Sequence, residues 1–219
     1  MSLYGSKKAF LFDLDDTLID SGSLHEAAYR MVLARHHLER LLEFDYASHQ
    51  GRKTADVFRS LGVGDEKVVN LLTEEKQAEY RRSAEIALKA LPNAIDLLGH
   101  LRKNNRRLFL VTSSSATSVK KGLIALNSMD FFEGMVTAED VTTAKPSPEP
   151  YLFCMHKYKL DVSECVAIED SPNGVLSAQK AGLDVMGVHN LMLKNLVKHF
   201  YADLFALGEA LDQPFVRVS

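Results

Sequence analysis

Across 219 residues the chain has only two cysteines, Cys154 and Cys165, and no Cys-x-x-Cys pair. A disulfide framework is thereby excluded, and the two are read as reduced thiols, one on a helix and one entering a strand. An excess of one charge is lacking as well. The net charge of -3 points to neither a nucleic-acid nor a membrane partner. No apolar run reaches the length of a membrane span, and no apolar segment precedes the first strand-like run. A soluble cytoplasmic protein is expected. Internal repeats and low-complexity stretches are absent too. What is present is a hydrophobic content of 46%, enough for a substantial core, in a length that suits one large domain or a core with a smaller insert.

Short apolar runs recur at Ala9 to Phe12, Arg107 to Val111, Gly134 to Thr137, Cys165 to Ile168 and Val185 to Val188, with a last run at Leu204 to Ala206. Helical patterns separate the later ones: Ala94 to Asn104, Ser118 to Leu126, Glu149 to Tyr158 and Asn173 to Ala181. This alternation predicts an α/β fold, a Rossmann-like parallel sheet with helices on both faces. Residues 21–91 break the pattern. They carry helical periodicity only, at Leu24 to His37, Thr54 to Leu61 and Glu66 to Ala90, the last with a break at Leu72-Thr73 where Thr73 would cap a second helix. So much helix is too long for one crossover. We expect an inserted helical cap domain over 21–91 on a core formed by 1–20 and 92–219.

The chemistry gathers at strand ends. The first run stops in three carboxylates, Asp13, Asp15 and Asp16. Like charges stacked there are costly unless a cation joins them, so a hard divalent metal is expected. With the strand ending at Asp13, Asp13 and Asp15 share a side, where one can attack and the other can move a proton. The second run ends in Thr112-Ser113-Ser114-Ser115, hydroxyls and helix-start N–H groups that suit an oxyanion or, more plainly, cap the next helix. Lys145 stands between Ala144 and Pro146 in the proline-rich segment 142–150; a loop lysine is ordinarily solvent-facing, but one held near carboxylates becomes a counter-charge. Glu169 and Asp170 end the fourth run and add carboxylate oxygens, while Ser171 and Pro172 read as an ordinary helix start.

Asp13-x-Asp15-x-Thr17, Thr112 after a strand, Lys145 before Pro146 and Glu169-Asp170 after another strand together resemble the haloacid dehalogenase superfamily. The resemblance spans about residues 9–206, and the helical insert is similar to that of its C1-capped members, phosphatases and β-phosphoglucomutases. It implies Mg²⁺-dependent hydrolysis of a small phosphomonoester, such as a sugar phosphate, through an aspartyl-phosphate on Asp13. Asp15 would be the acid and base. Thr112, Ser113, Ser114 and Lys145 would hold the phosphoryl group. Mg²⁺ would sit on Asp13, the Asp15 carbonyl and Asp170, with Glu169 beside or in the shell. The second aspartate, Asp15, sets the chain apart from carbon–halogen cleaving relatives.

Cap residues implied as substrate contacts are His25, Gly51, Arg52 and Lys76. Each has a plainer reading: a satisfied helix histidine, a solvated loop, or, for Lys76 in the segment Glu74 to Glu79, surface ion pairing. The alternative activity is a β-phosphoglucomutase-like phosphosugar mutase, disfavoured because Arg52 follows Gly51 directly whereas the mutase arginine would stand near Thr54. A small phosphorylated substrate is the expected partner, and a monomer the expected state, with a dimer left open.

Overall fold

The computed structural model describes residues 5–38, 46–49, 52–127 and 129–211. Six parallel strands form the main sheet: β1 (Ala9–Phe12), β4 (Arg107–Val111), β5 (Gly134–Val136), β6 (Cys165–Glu169), β7 (Asp184–Val188) and β8 (His199–Tyr201), in the spatial order β5-β4-β1-β6-β7-β8. β1 lies in the middle, with Phe12 level with Leu110 on β4 and Ile168 on β6.

Its four residues are all buried because both faces are covered. Phe10 and Phe12 pack with α4 (Ala94–Lys103), α5 (Ala116–Ala125) and α8 (Leu204–Leu211) on one face. Ala9 and Leu11 pack with α6 (Glu149–Tyr158) and α7 (Pro172–Lys180) on the other. Cys154 and Cys165 are free thiols buried in that second layer.

Between β1 and β4 the chain leaves the sheet and returns through two short antiparallel strands, β2 (Ile19–Asp20) and β3 (Lys89–Ala90). The excursion holds α1 (Gly22–Arg35), α2 (Thr54–Ser60) and α3 (Glu66–Ala87). These helices bury their own cluster, centred on Tyr29, Leu33, Phe58, Val69 and Leu72.

Three expectations need correcting. The helix read over Glu66 to Ala90 stops at Ala87, and Lys89–Ala90 form β3. α3 runs unbroken through Leu72-Thr73. Its cap is Asp65, whose carboxylate accepts from the Lys67 N–H at 2.8 Å, so Thr73 sits mid-helix. Residues 204–206 belong to a helix, not a strand. Leu204, Leu207 and Leu211 recur at helical spacing and are buried, and Asp203 accepts from the Ala206 N–H at 2.8 Å at the start. The last strand is His199–Tyr201, half-buried at the sheet edge and too short and polar to announce itself. Among the described residues no helix is long and apolar enough to cross a membrane.

Candidate active site

Strand order reverses at β1: β4 and β5 extend to one side of it, β6 to β8 to the other. In open α/β sheets ligands bind at such a point, beyond the strands' carboxyl ends. Asp13 follows β1, Thr112 follows β4, and Glu169 and Asp170 close β6. Lys145 enters from the loop ahead of α6. Unlike an ordinary loop lysine, Lys145 is fully buried: its ammonium donates to Asp13 Oδ1 at 2.7 Å, Glu169 Oε1 at 2.5 Å and the Val111 carbonyl at 2.9 Å.

Asp13, Glu169 and Asp170 bring one carboxylate oxygen each within 4.8 Å of one another, all buried. One ammonium cannot balance three buried carboxylates. Burial, opposed by Lys145 and reinforced by Glu169 and Asp15, pushes the Asp13 carboxyl up to about 8. Burial and the Asp13 and Glu169 charges push Asp170 well above the ordinary carboxylate range. Such a cluster is stable in its ionised form only with further positive charge, and hard oxygen donors at this spacing fit a divalent cation. The three sites are not equivalent. Glu169 Oε1 also accepts from the Tyr151 hydroxyl at 2.5 Å, so it is engaged by two protein donors, whereas Asp170 Oδ1 accepts from Thr17 at 3.2 Å.

Asp15 faces elsewhere. Its Oδ1 accepts from the Ser21 hydroxyl at 2.6 Å and meets His25 Nε2 at 3.2 Å; its Oδ2 accepts from the Ser114 hydroxyl at 2.5 Å. Burial alone would raise this carboxyl. The bonds from His25, Ser114 and Ser21 outweigh it and hold Asp15 well below the ordinary range. Behind His25 stands Lys76, buried, with its Nζ 2.6 Å from His25 Nδ1. A Lys76 ammonium can only donate, which leaves His25 to present its Nε2–H to Asp15. Tyr80 stacks on the imidazole at 3.9 Å with the rings 3° from parallel. Burial lowers Lys76 to about 7, against the pull of Asp15. Surface pairing, the plainer reading of Lys76, does not hold.

The remaining expected residues divide. Ser113, Ser114 and Thr112 all line the main cavity. Within that run Ser114 orients Asp15, Ser115 caps α5 by accepting from Ser118 N–H, and Thr112 Oγ1 accepts from the Ser114 N–H at 3.0 Å. Asp16, the third carboxylate, does not join the acidic cluster. With φ of 58° it turns back to accept from the Ser21 and Gly22 N–H groups at 3.1 and 2.6 Å, opening α1. Arg52 lines the cavity but donates to His49 Nδ1, Ser60 Oγ and the Asp56 carbonyl. Gly51 lies outside the described residues. Sequence reasoning gave no role to Tyr151, which reaches Glu169 from α6; no local signal marks it.

A family model described as haloacid dehalogenase-like hydrolase matches residues 10–188. Hexitol phosphatase A of Escherichia coli (strain K12) is 36% identical over 185 residues, covering 83% of each chain. Fructose-1-phosphate phosphatase YqaB of the same organism is 26% identical over 192 residues, covering 86% of this chain and all of the relative. Among solved structures, a hydrolase from Pseudomonas syringae superposes with a TM-score of 0.85 at 24% identity, covering 96% of this chain and 100% of that one. An α/β sheet with carboxylates at its switch point thus defines a hydrolase class. The chain belongs to the haloacid dehalogenase-like hydrolase family, and it is a phosphatase.

Proposed function

We propose that the chain hydrolyses a small phosphomonoester, a sugar phosphate or similar metabolite, in a Mg²⁺-dependent reaction through an aspartyl-phosphate on Asp13. One observation carries this reading: the Asp13 carboxylate, held by Lys145, forms an acidic cluster with Glu169 and Asp170, while a second carboxylate, Asp15, is held apart by three donors. Two carboxylates in different surroundings can take different roles.

Asp13, the Asp15 main-chain carbonyl and Asp170 would hold Mg²⁺, with Glu169 orienting Lys145 beside them. When bound, the ion neutralises charge between the carboxylate and the incoming phosphate and orients the phosphoryl group. An Asp13 oxygen attacks phosphorus; the bond to the leaving oxygen breaks, and that oxygen takes a proton from Asp15. Water then attacks the same phosphorus, Asp15 takes its proton, and the bond to Asp13 breaks. Asp15 is held ionised in the free site, as the second step needs. Arrival of a phosphate dianion opposes that charge and favours the protonated form that the first step needs. Thr112 and Ser113 would bind phosphoryl oxygens and the Lys145 ammonium would offset their charge, so positioning and charge stabilisation do most of the work. Residues 21–91 act in this reading as the cap over a core of 1–20 and 92–219.

The test is phosphate release from sugar phosphates, polyol phosphates and p-nitrophenyl phosphate, with Mg²⁺ and with chelator. Release that stops on chelation and returns with Mg²⁺ is expected; full activity in chelator would overturn the metal reading. Asp15→Asn is expected to lower kcat by about 10²- to 10⁴-fold, with a larger loss for alkyl than for p-nitrophenyl leaving groups, which need less protonation. An equal loss on both would remove Asp15 as the acid.

Gly174 offers a check on Glu169. A Cβ there would lie 1.9 Å from Glu169 Oε2. Gly174→Ala must therefore push the carboxylate off Lys145, and a loss of about 10- to 100-fold in kcat/KM is expected, as for other groups that orient a ligand set. Unchanged kinetics would mean that Glu169 does not position the site.

A further inference from the structure

Among the described residues only three buried side-chain polar atoms lack a hydrogen-bond partner: Thr73 Oγ1, the Tyr80 hydroxyl and Arg106 Nε. Two of the three, Thr73 and Tyr80, line one and the same cavity, of about 230 Å³, between the inserted helices and the strand ends. The Tyr80 hydroxyl lies near Ser21 but outside hydrogen-bond geometry. Buried polar groups are nearly always paired, so two orphans in one cavity call for a partner the chain itself does not supply. The pair is not scattered. Thr73 and Tyr80 stand seven residues apart on α3, with Gln77 between them at i+4, so all three share one helix face, and all three line the cavity. A mid-helix threonine commonly bonds back to a carbonyl one turn earlier; Thr73 does not.

The cavity's cations point the same way. Arg52 donates to His49, Ser60 and the Asp56 carbonyl. Lys53 donates to the Val141 carbonyl at 2.8 Å and to that of Thr142 at 3.4 Å. Lys76 is bound to His25. Among the described residues, each lysine and arginine lining the cavity is already held by a protein group, whereas the Thr73 and Tyr80 hydroxyls are not, so these two and the neighbouring Gln77 amide are placed to meet the part of the substrate beyond the phosphate.

We infer that Thr73, Gln77 and Tyr80 form a selecting stripe for an uncharged, polyhydroxylated leaving group, and that the enzyme prefers monophosphates of such alcohols to bisphosphates. The inference rests on the phosphatase reading above. A site that leaves buried hydroxyls unpaired rejects an analogue that cannot pair them. Removing an orphan hydroxyl has the opposite effect on the free protein, since it relieves an unmade hydrogen bond.

The test uses Thr73→Val and Tyr80→Phe, each removing only a hydroxyl, the second keeping the ring on His25. We would measure kcat/KM with Mg²⁺ for a hexitol monophosphate, for p-nitrophenyl phosphate and for a hexose bisphosphate, and the thermal midpoint of each free protein. Either substitution is expected to lower the ratio of hexitol phosphate to p-nitrophenyl phosphate about tenfold, the size of one hydrogen bond, while the midpoint stays level or rises. A ratio within twofold of the parent, a midpoint lowered by several degrees, or a parent that prefers the bisphosphate overturns the stripe. A parent that releases phosphate from none of the esters overturns the phosphatase reading instead, and the inference with it.

Discussion

Asp13→Asn is expected to lower phosphate release by about four orders of magnitude or more, because an amide oxygen cannot take the place of the attacking carboxylate. The substitution is close to isosteric and keeps an oxygen for the Lys145 ammonium 2.7 Å away. Loss of fold is therefore not the explanation to expect. The metal-free protein disfavours charge at this position, since burial and neighbouring carboxylates push the Asp13 carboxyl up to about 8. Removing that charge should leave the thermal midpoint in chelator level or higher. With Mg²⁺ the order reverses: the parent gains stability from the bound ion, by about 2.7 kcal/mol at a hundredfold excess over Kd, and the variant gains less. Phosphate release, intact-protein mass after substrate addition and melts with and without Mg²⁺ together decide it. Retained turnover, or a phosphoryl adduct on the variant, would remove Asp13 as nucleophile.

How much of this was legible from sequence depends on whether the physical cause is local. β1 was read to the residue because a strand buried on both faces is one apolar run, and Phe10 and Phe12 on one face with Ala9 and Leu11 on the other give such a run. The carboxylates at its end were legible for the same reason: charge concentrated where an apolar strand stops has no structural use. Asp16 shows the limit of that logic. It is as acidic as its neighbours, yet its left-handed backbone turns it into the opening of α1. Ser114 was read as a hydroxyl at a strand end, but its grip on Asp15 closes a contact across 99 residues and depends on where β4 lies beside β1. Thr73 misled because threonine serves both as a helix cap and as a mid-helix residue, and only the stronger Asp65 cap decides between them. His199–Tyr201 was missed because an edge strand of half-buried residues carries no period to read.

Lys145→Met tests whether the site's charge balance also holds the fold. The lysine side chain is 0% exposed and all its donors are used, on Asp13, Glu169 and the Val111 carbonyl. Burial opposes the ammonium, but the two carboxylates outweigh it and raise Lys145 above the ordinary lysine range, so the group is charged throughout the working pH. Methionine fills much of the same volume and supplies no charge. Asp13 and Glu169 then lose their buried ammonium partner, and breaking a buried pair in this way costs about 3–5 kcal/mol. For a chain of this size that is a fall of about 6 to 20 °C in the thermal midpoint in chelator. Mg²⁺ should return more of the loss to the variant than it adds to the parent, because it becomes the cluster's sole positive charge. Catalysis should not return with the fold. The lysine also sets a fixed positive charge beside Asp13, where phosphoryl charge develops, and losing one such preorganised group lowers kcat by about 10²- to 10³-fold. Midpoint and kcat therefore separate under saturating Mg²⁺: the first recovers in large part while the second stays low. A variant that melts with the parent in chelator would show that Lys145 does not balance the carboxylates. One that recovers full kcat with Mg²⁺ would show that its contribution is structural alone.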